Sequence, residues 1–192
     1  MIADALRHLE ALVAFDTRNP PRAIGPGIFD YLRAQLPGFD CTLTDHGAGA
    51  WSLLAVRGRP VRVFNVHLDT VPSSPGWSAD PLRLRVDAAR ATGLGACDIK
   101  GAAAALVVAA NATSGDAAFL FTSDEEANDP RGVAAFLAGE HGFTEAIVAE
   151  PTRGEAVLAH RRVQRAATRC VSAGSPGCAS TSAASKAASR RT

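Results

Sequence analysis

At 192 residues with 47% hydrophobic side chains, the chain is long enough to bury one substantial core. Lys and Arg number 20 against 19 Asp and Glu, a balance that offers no basic excess for nucleic acid and no acidic tail for a charge-driven partner. The most apolar run, 102–110, is too short to span a bilayer, the N-terminus carries no secretory pattern, and Cys41, Cys97, Cys170 and Cys178 form no C-x-x-C pair, so reduced thiols and a cytoplasmic setting are expected.

Residues 2–15 place Leu6, Leu9, Leu12 and Val13 on one face at helical spacing, which predicts an amphipathic helix. Asn19-Pro20-Pro21 breaks it, Gly25-Pro26-Gly27 marks a turn, and 28–36 reads as a second helix stopped by Pro37-Gly38. Residues 41–45 and 51–56 read as short strands around a Gly-rich turn. The run 61–66, rich in β-branched and aromatic side chains, reads as a buried central strand. A loop with Trp77, Asp80 and Pro81 leads to 82–86, which alternates apolar and basic residues and is expected to be a strand. Gly93-Leu94-Gly95 then permits tight backbone and close approach to a ligand. Residues 102–112 are apolar nearly all round, as in a buried helix, and 117–122 form another buried strand that ends in Ser123-Asp124-Glu125-Glu126. Residues 130–138 suit a helix with Pro in its first turn. Residues 145–149 read as a strand ending at Glu150-Pro151-Thr152, and 156–159 as one more.

Strands alternating with helices predict an α/β fold, a largely parallel sheet flanked by helices. From Arg161 onward Arg, Ala, Ser and Gly dominate without a sustained period, so 161–192 is expected to be an irregular low-complexity tail behind a domain at 1–160.

Chemistry-bearing residues fall where such a fold places its sites. His67 and Asp69 are two apart at a strand end, so both side chains point the same way. A metal-bound imidazole needs a partner on its other nitrogen, which makes His67 a candidate ligand with Asp69 orienting it or binding beside it. Asp98, Glu125, Glu126 and Glu150 also lie at strand ends or in Gly-rich loops, and one sheet edge can gather them all. Taken singly, each has a plainer reading. Glu125-Glu126 reads as a solvated turn, Asp98 as a turn or helix N-cap, Cys97 as a small packed residue, and Lys100 as a local cap or ion pair. His160 reads equally as a structural residue or a substrate contact.

In order along the chain, His67-Leu68-Asp69, Gly95-Ala96-Cys97-Asp98-Ile99-Lys100-Gly101, Asp124-Glu125-Glu126 and Glu150-Pro151-Thr152 resemble the motifs of the M20 metallopeptidase and deacylase family. Within that family, Phe15-Asp16-Thr17-Arg18-Asn19-Pro20-Pro21 and the run to His160 look most like N-acetylornithine and N-acetylcitrulline deacetylases. The resemblance implies a two-metal amidohydrolase of arginine biosynthesis using Zn²⁺ or Co²⁺. In it His67 and Glu150 hold one ion, Asp98 bridges, Glu126 holds the second, Glu125 is the general base, and Asp69 supports His67. Imidazole and carboxylates suit such ions, and neighbours on an extended segment would turn Glu126 to metal and Glu125 to substrate. It implies further a small N-acetyl amino acid as substrate, no nucleic-acid or membrane partner, and a homodimer. A succinyl-diaminopimelate desuccinylase or a dipeptidase would use the same site.

Family members continue through a lid or dimerisation domain and return with a C-terminal His that completes the second metal. This chain ends before that point, so the expectation is an incomplete catalytic domain, a fragment without turnover. Gly174-Ser175-Pro176-Gly177-Cys178-Ala179-Ser180 echoes a family Gly-x-x-Gly-His-x-Ser segment with Cys178 in place of the His.

Overall fold

A computed structural model describes residues 1–21, 24–129 and 131–157. Its centre is a five-stranded sheet in the spatial order β1 (Asp40–Asp45), β2 (Trp51–Arg57), β6 (Ala117–Thr122), β3 (Arg62–His67) and β7 (Glu145–Val148). The strands β6, β3 and β7 run parallel, and β1 and β2 extend the sheet with antiparallel pairings. The expected α/β layering with a parallel centre is therefore present.

Alternation along β6 explains how both faces are covered. Phe119 and Phe121 join a large apolar cluster with Leu9, Leu12 and Val13 of α1 (Ile2–Val13), Ile28, Phe29 and Leu32 of α2 (Gly27–Ala34), and Val107 of α3 (Gly101–Ala112). Ala118 and Leu120 form a second cluster with Val63, against which Phe136 of α4 (Arg131–Ala138) packs. The strand between two apolar layers is thus the near-continuous apolar run Ala117-Ala118-Phe119-Leu120-Phe121.

Several expectations need correction. The run 82–86 is a strand only at β4 (Arg85–Val86), paired with β5 (Ala91–Thr92). Asp80 captures the backbone first, its Oδ1 accepting from Leu82 N at 2.9 Å, so a turn displaces the strand. The helix α3 is not buried all round: Ala103, Ala104, Val107 and Ala110 face the core while Ala105 and Ala109 are exposed. An outward alanine exposes little surface, so apolar composition alone overstates burial here. Val61 is also exposed, as are Ile147 and Val148 on the edge strand β7. Ala156 and Val157 are not in a strand. Pro130, residues 158–159, His160, Cys178 and the rest of 161–192 lie outside the described residues.

Candidate metal centre

Parallel pairing sends the C-terminal ends of three strands to one edge of the sheet. His67, the last residue of β3, stands opposite Thr122, the last residue of β6. Beyond Thr122 come Ser123, Asp124 and a turn over 125–128, closed by Asn128 N donating to Glu125 O at 2.9 Å. Glu150 lies two residues past the end of β7. Asp98 reaches the same edge from a wide turn at Ala96–Lys100, entered at Gly95 with φ +75° and closed by Lys100 N donating to Gly95 O at 2.8 Å.

These paths converge. One ligand atom from each of His67, Asp98 and Glu150 lies within 4.8 Å of the others, and the same holds for His67, Glu125 and Glu126. His67 is buried and belongs to both groups, whereas Asp98, Glu125 and Glu150 are exposed. Each group, one imidazole with two carboxylates, is a donor set suited to Zn²⁺ or a similar first-row ion.

The orientation of His67 follows from its neighbours. Nδ1 lies 3.1 Å from Asp69 O and 3.5 Å from Asp69 Oδ1, while Nε2 lies 3.1 Å from Asp98 Oδ1. A carbonyl only accepts, so Nδ1 carries the hydrogen and Nε2 is the nitrogen turned to the acidic cluster. Burial disfavours a charged imidazole. The Asp69 hydrogen bond and the charges of Asp69, Glu125 and Asp98 together outweigh it and push the His67 pKa up to about 9. Burial also raises the Glu126 carboxyl above its ordinary range; the His67 charge opposes this, while Glu125, Asp98 and Asp69 add to it. The His67 shift expresses a concentration of negative charge that a bound cation would relieve.

Asp69 sits behind the cluster, fully buried. Its Oδ2 accepts from Asn19 Nδ2 at 3.0 Å and Glu126 N at 2.9 Å, and its Oδ1 from Glu125 N at 3.3 Å. Asp69 therefore holds the acidic turn through its carboxylate and the imidazole through its backbone carbonyl, with Oδ1 3.5 Å from the same nitrogen.

The local geometry differs from expectation in three places. Glu125 and Glu126 lie in a turn, not an extended segment, so the rule that neighbours face opposite ways does not apply, and both approach His67. Cys97 is exposed rather than packed. Lys100 is fully buried and makes a distant contact, Nζ donating to Phe15 O at 3.0 Å just past α1. Burial lowers its pKa to about 8 against the opposing charges of Asp16 and Asp69. Asp124, given no role of its own in the sequence, accepts from Gly132 N at 2.6 Å through Oδ2 at the start of α4. Asn19 was legible only as a helix breaker, because its partners Asp69 and Ser123 are far away in sequence.

A cavity of about 340 Å³ lies beside the segment that follows Asp69, walled by Asp16, Arg18, Pro21, Pro72 and Ser73. Arg18 Nε donates to Asp16 Oδ1 at 2.7 Å in its wall. Among the described residues no helix is long and apolar enough to cross a membrane.

Residues 63–191 match the family model described as Peptidase family M20/M25/M40. The chain is 67% identical to N-acetyl-L-citrulline deacetylase of Xanthomonas campestris pv. campestris over 85% of its own length and 45% of that protein. It is 34% identical to succinyl-diaminopimelate desuccinylase of Wolinella succinogenes over 77% of its length and 42% of that protein. It spans less than half the length of either relative. In fold it resembles human carnosine dipeptidase 1, with a TM-score of 0.62 at 20% identity over 77% of this chain and 38% of that one. The dipeptidase Dug1p of Saccharomyces cerevisiae gives 0.60 at 16% identity over the same shares.

Proposed function

This chain belongs to the peptidase family M20/M25/M40, and from that premise we propose that it carries the metal-binding part of an amidohydrolase that removes the acetyl group from N-acetylcitrulline or N-acetylornithine. The observation that carries the reading is the gathering of His67, Asp98, Glu125, Glu126 and Glu150 at one sheet edge. Its substrate class follows the relative that shares 67% identity, against 34% for the desuccinylase. The site would act on a small molecule in the cytoplasm, in a homodimer.

In this reading His67, Asp98, Glu126 and Glu150 would be the residues that hold the metal, with His67 and Glu150 serving one ion, Glu126 a second, and Asp98 available to both. The ions, Zn²⁺ or Co²⁺, would polarise the amide carbonyl and make nearby water more acidic. Glu125 is the exposed carboxylate of its group, open to substrate and water. It would take a proton from the attacking water and pass it to the leaving nitrogen as the carbon–nitrogen bond breaks, giving acetate and a free amine. Asp69 would keep Nε2 of His67 aimed at the ion by holding Nδ1–H.

The test is side-by-side hydrolysis of N-acetylcitrulline, N-acetylornithine and N-succinyl-diaminopimelate by the protein that carries this chain, with Zn²⁺ or Co²⁺ supplied. Preference for an acetylated substrate is expected. Preference for the succinylated one would move the protein to the desuccinylase branch, and metal binding unaffected by His67→Ala would overturn the site.

A further inference from the structure

We propose that Asn19 is a positioning residue that fixes the spacing between the two strand ends bearing metal ligands, acting through Asp69. The inference rests on the metal-site reading above. Asn19 is 1% exposed, and its Nδ2 donates twice, to Asp69 Oδ2 at 3.0 Å and to Ser123 O at 3.2 Å. Asp69 lies two residues past the end of β3 and Ser123 one residue past the end of β6. One amide therefore ties the two parallel strands together beyond their last paired residues, His67 and Thr122.

Both ends of this brace lead to ligands. The Asp69 oxygen that receives Asn19 also receives Glu126 N, and the other faces His67 Nδ1 and Glu125 N. A displaced Asp69 would move the imidazole and the Glu125-Glu126 turn together. The brace itself is anchored: Asn19 N donates to Thr70 O at 2.8 Å, Thr70 N to Thr17 O at 2.9 Å, and Thr17 Oγ1 to Leu68 O at 2.7 Å. Asn19 Oδ1 has no hydrogen-bond partner among the described residues, so the side chain is held from its Nδ2 end. The hydrogen bonds of Asn19 itself go to Asp69, Ser123 and Thr70 rather than to a ligand of the cluster, which makes its role one of position.

The experiment uses the metal-free 192-residue chain and Co²⁺ as probe, with affinity from titration and geometry from the visible d–d spectrum. Wild type is compared with Asn19→Ala, Asp69→Asn, the double variant and His67→Ala; Asn19→Ser, whose short side chain cannot span both acceptors, replaces Asn19→Ala if the latter does not fold. Loss of a supporting group behind a ligand weakens metal binding by about 10–100-fold, and the low end, about tenfold with an altered spectrum, is expected for Asn19→Ala. That loss should vanish in the Asp69→Asn background, since both changes break one chain of contacts. A merely structural Asn19 would lower the unfolding temperature of the metal-free chain, leave the Co²⁺ spectrum unchanged, and add independently to Asp69→Asn. Wild-type affinity and spectrum in Asn19→Ala, beside lost binding in His67→Ala, would sink the brace and leave the metal site standing. Unchanged binding in His67→Ala would remove the site reading and this inference with it.

Discussion

Replacing Gly95 by alanine tests whether the turn that delivers Asp98 is built as described. Gly95 has φ +75°, where an L side chain costs about 1–2 kcal/mol. A Cβ there would also lie 2.5 Å from Thr70 Cγ2 and 3.1 Å from Lys100 Cδ. Neither neighbour can swing into solvent, because Thr70 and Lys100 are both buried. Thr70 is held by its backbone bond to Thr17, and Lys100 by its Nζ on Phe15 O. Forcing extra volume into such packing costs about 1–3 kcal/mol. The two contributions together predict a loss of about 2–5 kcal/mol, a large part of the ~5–15 kcal/mol that holds a domain folded. Urea unfolding followed by circular dichroism would measure it, with Gly142→Ala as control, since a Cβ at Gly142 meets nothing within 4 Å. The control should stay within about 0.5 kcal/mol of wild type. A loss below about 1 kcal/mol for Gly95→Ala would refute the strained, crowded turn and with it the stated route of Asp98 to the cluster.

The remaining expectations concern the acidic turn, the metal and the core. In the active protein Glu125→Gln should abolish turnover and keep metal content near wild type, whereas Glu126→Gln should lose metal; the reverse pattern in a metal assay would exchange their roles. Zn²⁺ at a hundred times its dissociation constant should stabilise the chain by about 2.7 kcal/mol, seen as a higher unfolding midpoint that a chelator reverses. No shift at saturating Zn²⁺ would count against a site formed only in the folded state. Phe121→Ala, at a fully buried position between strand and helices, should cost about 3–5 kcal/mol in urea unfolding, while Val86→Ala, more than half exposed, should cost little. Equal effects would contradict the assignment of the core.

How far the sequence is legible depends on how far each residue's partner lies along the chain. The apolar runs at 51–56, 61–66 and 117–122 announce strands because their short length and their β-branched and aromatic side chains act locally, and the structure places strands there. The helix periods at 2–15 and 28–36 are legible for the same reason, with ends shifted by a few residues. The strand at 82–86 fails because Asp80, outside the run, takes its backbone first. The acidic pair at 125–126 misleads about direction because a turn, not alternation, sets where those side chains go.

Around the candidate centre the same division separates the residues that bear chemistry from those that hold them. His67, Asp98 and Glu150 have plainer readings one by one and draw notice in the sequence because together they repeat the order of a known family's motifs. Asn19, Lys100 and Asp124 draw notice only as a helix breaker, a local cap or ion pair, and one letter of an acidic motif, none of which names their partners. Asn19 meets Asp69 across 50 residues and Lys100 meets Phe15 across 85, so no local window contains either pair. Asp124 stands between the strand and Glu125 as if it belonged to the cluster, yet its carboxylate starts α4. A buried polar group must be satisfied wherever the fold leads it, and its partner is set by the tertiary structure. The side chains proposed to position the strand ends that bear candidate ligands are therefore the ones least visible in a linear reading. Their replacement should alter metal geometry without removing a ligand, and this consequence separates a cluster assembled by the whole fold from acidic residues that merely share an edge.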